Sequence, residues 1–144
     1  MSSVQDTFRE LLKQACYSLT VARTAVFEAL LNQEPQSMRT LVARLPQIDR
    51  ASVYRTVDLF ERLGIAQRLY TGWKYTIELT DKFTAHHHHL TCTNCGKTIA
   101  MEEDELETFI EQIARRHGLV PSAHQIEIQG VCLECRHSQA AGQR

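Results

Sequence analysis

The sequence lacks any run of apolar residues long enough to form a membrane-spanning helix. Its first residues also lack the apolar core of a signal peptide, because Phe8, Leu11 and Leu12 are interspersed with charged residues as in an amphipathic helix. We therefore expect a cytoplasmic protein whose cysteines are reduced. No segment repeats along the chain, and no His-Glu-x-x-His motif occurs, which disfavours a zinc hydrolase as the function.

Net charge is small as well, at −1 for 144 residues, a length that suits one domain or two small ones. The small total hides an asymmetry between two parts of the chain. Residues 1–80 contain ten Lys or Arg and eight Asp or Glu, whereas residues 81–144 contain six and nine. The first part is therefore favoured as the one that binds a polyanion, although most of these charges are typical of solvated surface.

The first part of the chain has the pattern of four helices followed by two strands. Apolar spacing predicts helices over residues 5–16 and 21–31, a short helix between Ser37 and Pro46, and a fourth helix between Asp49 and Gly64. Thr20, Ser37 and Asp49 are the expected N-caps. Residues 65–70 and 74–79 are predicted strands around a short turn. Helices followed by a hairpin predict a winged helix-turn-helix, with the fourth helix as its recognition helix.

The outward face of this fourth helix suits the major groove of DNA. Its side chains are Arg50, Ser52, Tyr54, Arg55 and Asp58. Arginine binds guanine edges or phosphates, and tyrosine binds the backbone or a thymine methyl group. Arg23, together with Arg55, could also contact phosphates. The alternative is a solvated amphipathic helix, but the order of the helices and the hairpin favours DNA.

Four of the five cysteines form two Cys-x-x-Cys pairs. They are Cys92, Cys95, Cys132 and Cys135. Four thiolates are enough to close a tetrahedral zinc site, and the long interval between the pairs requires a folded segment that brings them together. Buried thiols or disulfides are the alternatives. The fifth cysteine, Cys16, stands alone and is expected to be a core thiol.

Four consecutive histidines, residues 86–89, directly precede the first cysteine pair, too far inside the chain to be an expression tag. Neutral imidazole is a ligand for zinc, iron, nickel and copper, so the run predicts a second metal centre. The alternative is a solvated loop.

Residues 86–136 are predicted to form a second, small α/β domain after a hinge at residues 81–85. Within it we expect a strand at 98–101, a helix at 102–117 and a strand at 124–131. The helix is expected to bury Leu106, Phe109, Ile110 and Ile113. Residues 137–144 are polar and are predicted to be a flexible, frayed tail.

Together these segments resemble the ferric uptake regulator family of bacterial metal-sensing repressors. The matching segments are 20–23 (Thr-Val-Ala-Arg), 52–56 (Ser-Val-Tyr-Arg-Thr), 78–79, 86–96, 117–119 and 130–135. They follow the family's order over about residues 8–136, and the segment Ser-Val-Tyr-Arg-Thr followed by the histidine–cysteine run is the specific part. The resemblance implies an α+β homodimer with a winged helix at residues 1–80, bound to a double-stranded DNA operator, and a dimerisation domain at residues 86–136.

The resemblance also implies up to three metal sites. A structural zinc would be bound by the four paired cysteines. A regulatory divalent ion (Fe²⁺, Zn²⁺ or Mn²⁺) would be bound in the dimerisation domain by His86, His88, Glu107 and His124. A hinge site would use Glu78, His87 and His89, but Pro35 and Gln36 replace a histidine of the family there, and Ala100 replaces an acidic residue.

Two further departures from the family concern the metal and the DNA. Zinc-sensing relatives have a cysteine near the position of Glu78, which this chain lacks, and iron-sensing relatives have a lysine where Ser18 stands. The expected function is a metal-responsive, DNA-binding repressor that controls metal homeostasis genes and is not an enzyme. The alternatives are a peroxide-sensing repressor of the same family and a metal-storage or chaperone module that does not bind DNA.

Overall fold

The computed structural model describes residues 3–122 and 124–141, with side chains described as far as residue 138 apart from Ala123. The chain divides into two compact units, Met1–Ala85 and His86–Arg144. None of the six helices in the described part of the chain combines the length and the apolar character needed to cross a membrane.

The first unit contains four helices and a β-hairpin. Its elements are α1 (Val4–Gln14), α2 (Val21–Leu30), α3 (Met38–Arg44), α4 (Arg50–Arg62), β1 (Ala66–Thr71) and β2 (Lys74–Leu79). The predicted caps are confirmed, because the side chains of Thr20, Ser37 and Asp49 each accept a hydrogen bond from a backbone N–H in the first turn of α2, α3 and α4. This is the predicted winged helix-turn-helix.

Four phenylalanine rings, from α1, α2, α4 and the segment after β2, pack together in the core of this unit. Phe8 stacks on Phe27 with ring centroids 4.0 Å apart. Phe60 packs edge-on against Phe8, and Phe83 packs edge-on against Phe27, at 5.5 and 5.1 Å. The segment before α3 is tied to the hairpin by two backbone hydrogen bonds between Gln36 and Ile77, of 3.0 and 2.8 Å.

One prediction for the first unit is wrong. Cys16 was expected to be a core thiol, but it is exposed and has a positive φ of 59°. It lies just beyond the C-cap of α1, where the backbone turns so that the N–H of Tyr17 bonds to the carbonyl of Leu12 at 2.8 Å. This reversal directs the cysteine away from the core that Leu12 enters.

The second unit is a three-stranded sheet with two helices. Its elements are β3 (His88–Cys92), β4 (Thr98–Met101), α5 (Asp104–Arg116), β5 (Glu127–Gly130) and α6 (Leu133–Ala141). The strand order is β4-β3-β5; β3 is antiparallel to β4 and parallel to β5. The sequence analysis did not predict the central strand β3, which begins inside the histidine run.

Two predictions for this unit are wrong. Residues 137–141 were assigned to a frayed tail, but α6 extends through them; Ser138 donates to the Glu134 carbonyl at 2.9 Å, and no glycine interrupts the helix before residue 142. Residues 142–144 of the predicted tail lie outside the described residues.

In α5, Phe109 and Ile113 were expected to be buried, but they are 54% and 38% exposed, and none of the described residues of α5 is fully buried. The small sheet does not cover the apolar face of this helix.

We expect the Phe27→Ala variant to lose about 3–5 kcal/mol of unfolding free energy, because a fully buried ring with two aromatic neighbours is replaced by a cavity. Trp73→Ala is the control in the same unit, since the Trp73 side chain is fully exposed and its loss should change stability by no more than about 0.5 kcal/mol. Urea unfolding followed by circular dichroism measures both. Equal losses in the two variants would contradict the assignment of the core.

Candidate metal centres and nucleic-acid interface

The parallel pairing of β3 and β5 brings the two cysteine pairs together. Cys92 is the last residue of β3 and lies opposite Gly130, the last residue of β5. Because parallel strands point the same way, the segments that follow them leave the sheet at the same edge. A turn then carries Cys95, with Gly96 at a φ of 78°, while Cys132 precedes α6 and Cys135 lies in its first turn.

The four sulfur atoms are spaced as a tetrahedral zinc site requires. All lie within 4.8 Å of one another, and the sulfurs of Cys95 and Cys132 are 4.0 Å apart. Zinc–sulfur bonds of about 2.3 Å in a tetrahedron place the sulfurs about 3.8 Å apart. All five cysteines are free thiols, and 4.0 Å is about twice the length of a disulfide bond, so the disulfide alternative is not supported.

The electrostatics of this cluster also fit a dication. The backbone N–H of Cys132 donates to the Cys92 sulfur at 3.3 Å and, with that of Cys95, lowers the pKa of the Cys92 thiol to about 6. A side-chain hydrogen bond with Asn94 lowers the pKa of the Cys135 thiol. The neighbouring sulfur of Cys132 and desolvation outweigh this effect, so the pKa of Cys135 is raised to about 11. Four thiolates therefore do not ionise together unaided, and a bound metal ion would supply the missing positive charge.

A second cluster gathers three imidazoles around one carboxylate. His88 begins β3, His86 lies two residues before it, Glu107 is in the first part of α5, and His124 precedes β5. The Nε2 atoms of His88 and His124 lie 2.7 and 3.2 Å from Oε1 of Glu107, and Nε2 of His86 lies 3.8 Å from the same oxygen. The Nε2 atoms of His86 and His124 are 3.2 Å apart.

These four side chains offer three nitrogen donors and a carboxylate to one point, a donor set that suits Fe²⁺, Mn²⁺ or Zn²⁺. Desolvation disfavours the charged form of Glu107 and acts to raise its pKa. Hydrogen bonds with His88 and His124 outweigh this effect and hold the pKa of Glu107 below its usual value. His88 is 1% exposed, and its Nδ1 has no hydrogen-bond partner among the described residues. The alternative of a solvated histidine loop is therefore wrong.

The predicted hinge residues belong to both units. Glu78 lies in β2 of the first unit, where it is buried and accepts a hydrogen bond from Gln67 at 2.6 Å. His87 and His89 lie in the second unit, with their rings 4.9 Å apart in an edge-on contact. Gln36, which with Pro35 stands where the family has a histidine, is directed into the first unit: its Nε2 donates to the Ala29 carbonyl at 2.9 Å.

The side chains on the outer face of α4 are arranged by contacts among themselves. The Arg50 guanidinium lies 5.4 Å from the centre of the Tyr54 ring, and Arg55 donates to the Ser52 hydroxyl at 3.0 Å. Beside α4, a cleft of about 450 Å³ is bordered by the start of α2 and contains Arg23. Arg23 lies 5.3 Å from the centre of the Tyr17 ring and donates to the Ser18 carbonyl. The surface presents several cations to one side of the unit.

Asp58 lies on the outer face of α4 as predicted, half exposed at the edge of the same cleft, and is also paired with an arginine that the sequence analysis missed. Arg68 of β1 donates to Asp58 and to Glu61, each at 2.5 Å, and its guanidinium lies 5.1 Å from the centre of the Tyr75 ring. Arg68 thus neutralises two carboxylates of α4. The sequence did contain a signal for this ion pair: an arginine in the first predicted strand follows two acidic residues at the end of the preceding helix.

A winged helix with a basic recognition helix, followed by a unit with one thiol cluster and one histidine–carboxylate cluster, defines a metal-responsive, DNA-binding transcriptional regulator. The model of the Ferric uptake regulator family matches residues 14–129. The chain belongs to this family, whose members are metal-responsive transcriptional repressors.

Known relatives match over most of the chain. The ferric uptake regulation protein of Escherichia coli (strain K12) is 36% identical over 141 residues, covering 90% of this chain and 93% of that protein. The ferric uptake regulation protein of Bacillus subtilis (strain 168) is 30% identical over 138 residues, covering 90% of this chain and 93% of that protein. The crystal structure of the Vibrio cholerae ferric uptake regulator is 30% identical, with a TM-score of 0.68, and the match covers 86% of this chain and 98% of that chain. The predicted family, fold class and function are confirmed.

Proposed function

We propose that the protein is a cytoplasmic, homodimeric repressor that binds an operator when a divalent metal ion occupies the cluster formed by His86, His88, Glu107 and His124. The convergence of three imidazole nitrogens on one carboxylate carries this proposal. The metal would tie the start of β3 to α5 and to the segment before β5. An ion that binds one arrangement of the dimer more tightly than another shifts the population toward that arrangement, which is what a metal-dependent repressor requires.

The homodimer is supported by apolar surface on the second unit. Phe109 and Ile113 of α5 are exposed, as are Ile99 and Ile128 of the sheet. Every residue of the edge strand β5 is exposed as well, so its unpaired side is open to another strand. A second copy related by a two-fold axis would bury these surfaces in a self-complementary interface.

The four cysteines are proposed to hold a structural zinc ion. Zinc closed by four thiolates contributes directly to folding, and this unit has little apolar core to fold around. A solved structure described as a zinc-bound manganese uptake regulator is 29% identical to this chain, with a TM-score of 0.66 and a match that covers 92% of this chain. Zinc in that protein supports zinc as the metal proposed here. Reduced thiols in the cytoplasm are available to bind it.

Cys135→Ser is expected to lose its tightly bound zinc, because three thiolates cannot close the tetrahedron without water, and to lose much of its dimer. Cys16→Ser is the matched control, since Cys16 is an exposed thiol in the other unit. Elemental analysis measures zinc per chain, and sedimentation velocity measures the dimer. A Cys135→Ser protein with full zinc and an unchanged sedimentation coefficient would contradict the structural zinc site.

The recognition helix α4 is proposed to read DNA through Arg50, Ser52, Tyr54 and Arg55, with Arg23 on a phosphate. Tyr54→Ala and Arg55→Ala are each expected to weaken binding about tenfold or more, because one good base contact contributes about 1–3 kcal/mol. The probe is a DNA duplex enriched from a random library by the metal-loaded protein. Arg115→Ala is the control for a lost cation, since Arg115 is exposed on α5 and, among the described residues, its ion pair is with Glu111, four positions before it.

Fluorescence anisotropy of the labelled duplex measures these affinities, while metal content and sedimentation verify that the variants keep their metal and their dimer. If Tyr54→Ala and Arg55→Ala bind the duplex as tightly as Arg115→Ala does, α4 is not the reading helix. If no duplex is enriched under any metal, the protein is not a DNA-binding regulator.

The cluster around Glu107 is proposed to be the main sensing site, and Glu78, His87 and His89 a weaker hinge site. His124→Ala is therefore expected to raise the metal concentration needed for half-maximal DNA binding more than Glu78→Ala does. The physical reason is the number of donors: four ligands converge in one unit, whereas the hinge set has three, because Pro35 and Gln36 stand where the family has a histidine.

Titration of Fe²⁺, Mn²⁺ and Zn²⁺ into each variant, followed by anisotropy of the labelled duplex, separates the two sites. His117→Ala is the control, because it removes a histidine outside both clusters. The proposal would be contradicted if Glu78→Ala lost metal-dependent DNA binding while His124→Ala still responded at the parent's metal concentration. The hinge set would then be the sensor.

A further inference from the structure

Helix α4 carries a carboxylate between two of its exposed arginines. Asp58 lies three residues after Arg55 and four residues before Arg62, and side chains at these spacings meet on the surface of a helix. Asp58 is half exposed, and all three side chains border the cleft of about 450 Å³ beside α4. A free carboxylate at this position would therefore pair with one of the two arginines and withdraw it from any partner that binds this surface.

The structure directs Asp58 to an arginine outside the helix instead. Nη2 of Arg68 donates to Oδ1 of Asp58, and Nη1 of Arg68 donates to Oε2 of Glu61, each at 2.5 Å. Among the described residues, Arg68 is the one cation that forms an ion pair with Asp58. Arg55 donates to the Ser52 hydroxyl at 3.0 Å and remains exposed. Its guanidinium is thus left available to a partner.

Two contacts besides Asp58 fix Arg68 in this position. Glu61 binds its Nη1, and the Tyr75 ring of the neighbouring strand has its centre 5.1 Å from the guanidinium. A planar guanidinium presents its N–H groups at fixed angles, so it binds two carboxylates at once better than the point charge of an ammonium group does. The Arg68 side chain is only 15% exposed, which leaves little of it to contact DNA directly. An effect of Arg68 on DNA binding is therefore expected to act through Asp58.

We propose that Arg68 is a positioning residue for DNA binding: it keeps Asp58 from pairing with the arginines one turn away on α4, and so leaves those arginines for DNA. This inference rests on the proposed function, because it requires DNA at α4. Glu61 has a different part. It anchors Arg68, but no arginine lies three or four residues from it on α4, so its own charge does not capture a residue proposed to read DNA.

The test compares charge-removing variants of the metal-loaded full chain on the duplex enriched from a random library. Arg68→Met is expected to weaken binding about fivefold or more, the lower limit for the loss of one good base contact. Arg68→Met/Asp58→Asn is expected to recover the parent's affinity, because the capturing carboxylate is gone. Arg68→Met/Glu61→Gln is the matched control: it removes the same charge from the same helix and is expected to stay weak.

Fluorescence anisotropy measures the affinities, and urea unfolding followed by circular dichroism verifies that each variant is folded. An Arg68→Met variant with the parent's affinity overturns the inference. Equal recovery by Asp58→Asn and Glu61→Gln would indicate a general effect of charge and would also overturn it. Recovery by neither would assign Arg68 to holding the hairpin or to contacting DNA, again against the inference. In each of these cases the proposed function stands.

If Arg68→Met does not fold, Arg68→Lys decides, since lysine keeps the charge but loses the planar fork. Asp58→Asn is then expected to raise the DNA affinity more in the Arg68→Lys chain than in the parent chain. An equal increase in both chains overturns the inference. If the parent binds no duplex at all, the proposed function fails and this inference fails with it.

Discussion

The parallel pairing of β3 with β5 is the constraint on which the second unit depends. One register places Cys92 opposite Gly130, and so brings both cysteine pairs to the same edge of the sheet. The same register aligns His89 with Glu127, and so brings the start of β3, with His88, beside the segment that contains His124. A shift of one residue would turn the side chains of β3 to the opposite faces and separate both sets of ligands.

The two units differ in what stabilises them. In the first, apolar side chains from every helix form a continuous core around four phenylalanines. In the second, the fully buried residues among those described are histidines, threonines and one cysteine: His88, His89, Thr91, Cys92 and Thr98. A unit with so little apolar burial gains most from metal–ligand bonds and from a second subunit. The elements proposed to bind the metal are thus elements with little apolar core of their own, so metal binding there would be coupled to their structure.

In the first unit, ion pairs neutralise two carboxylates of α4 and leave two of its arginines exposed. Helix α4, which is proposed to read DNA, contains Asp58 and Glu61, which would weaken its attraction for a polyanion, but Arg68 of β1 binds both. Arg50 and Arg55 keep their exposed guanidinium groups, positioned by contacts with Tyr54 and Ser52. Two of the carboxylates of α4 are therefore neutralised by the fold, while the exposed arginines Arg50 and Arg55 remain on its outer face.

The sequence by itself determined the elements whose signals are local. The caps Thr20, Ser37 and Asp49 depend on bonds to residues three positions away, and the two-residue turn at Gly72 depends on its own φ, so the helices and the hairpin could be predicted. The cysteine and histidine motifs likewise indicated their chemistry. The extent of α6 and the exposure of Cys16 also follow from hydrogen bonds over four or five residues, which the sequence analysis did not predict. Only the tertiary structure decided that the apolar face of α5 is uncovered within its own unit, and that Arg68 binds Asp58 and Glu61. Both depend on what lies opposite a side chain across space, which the spacing of residues along the chain does not specify.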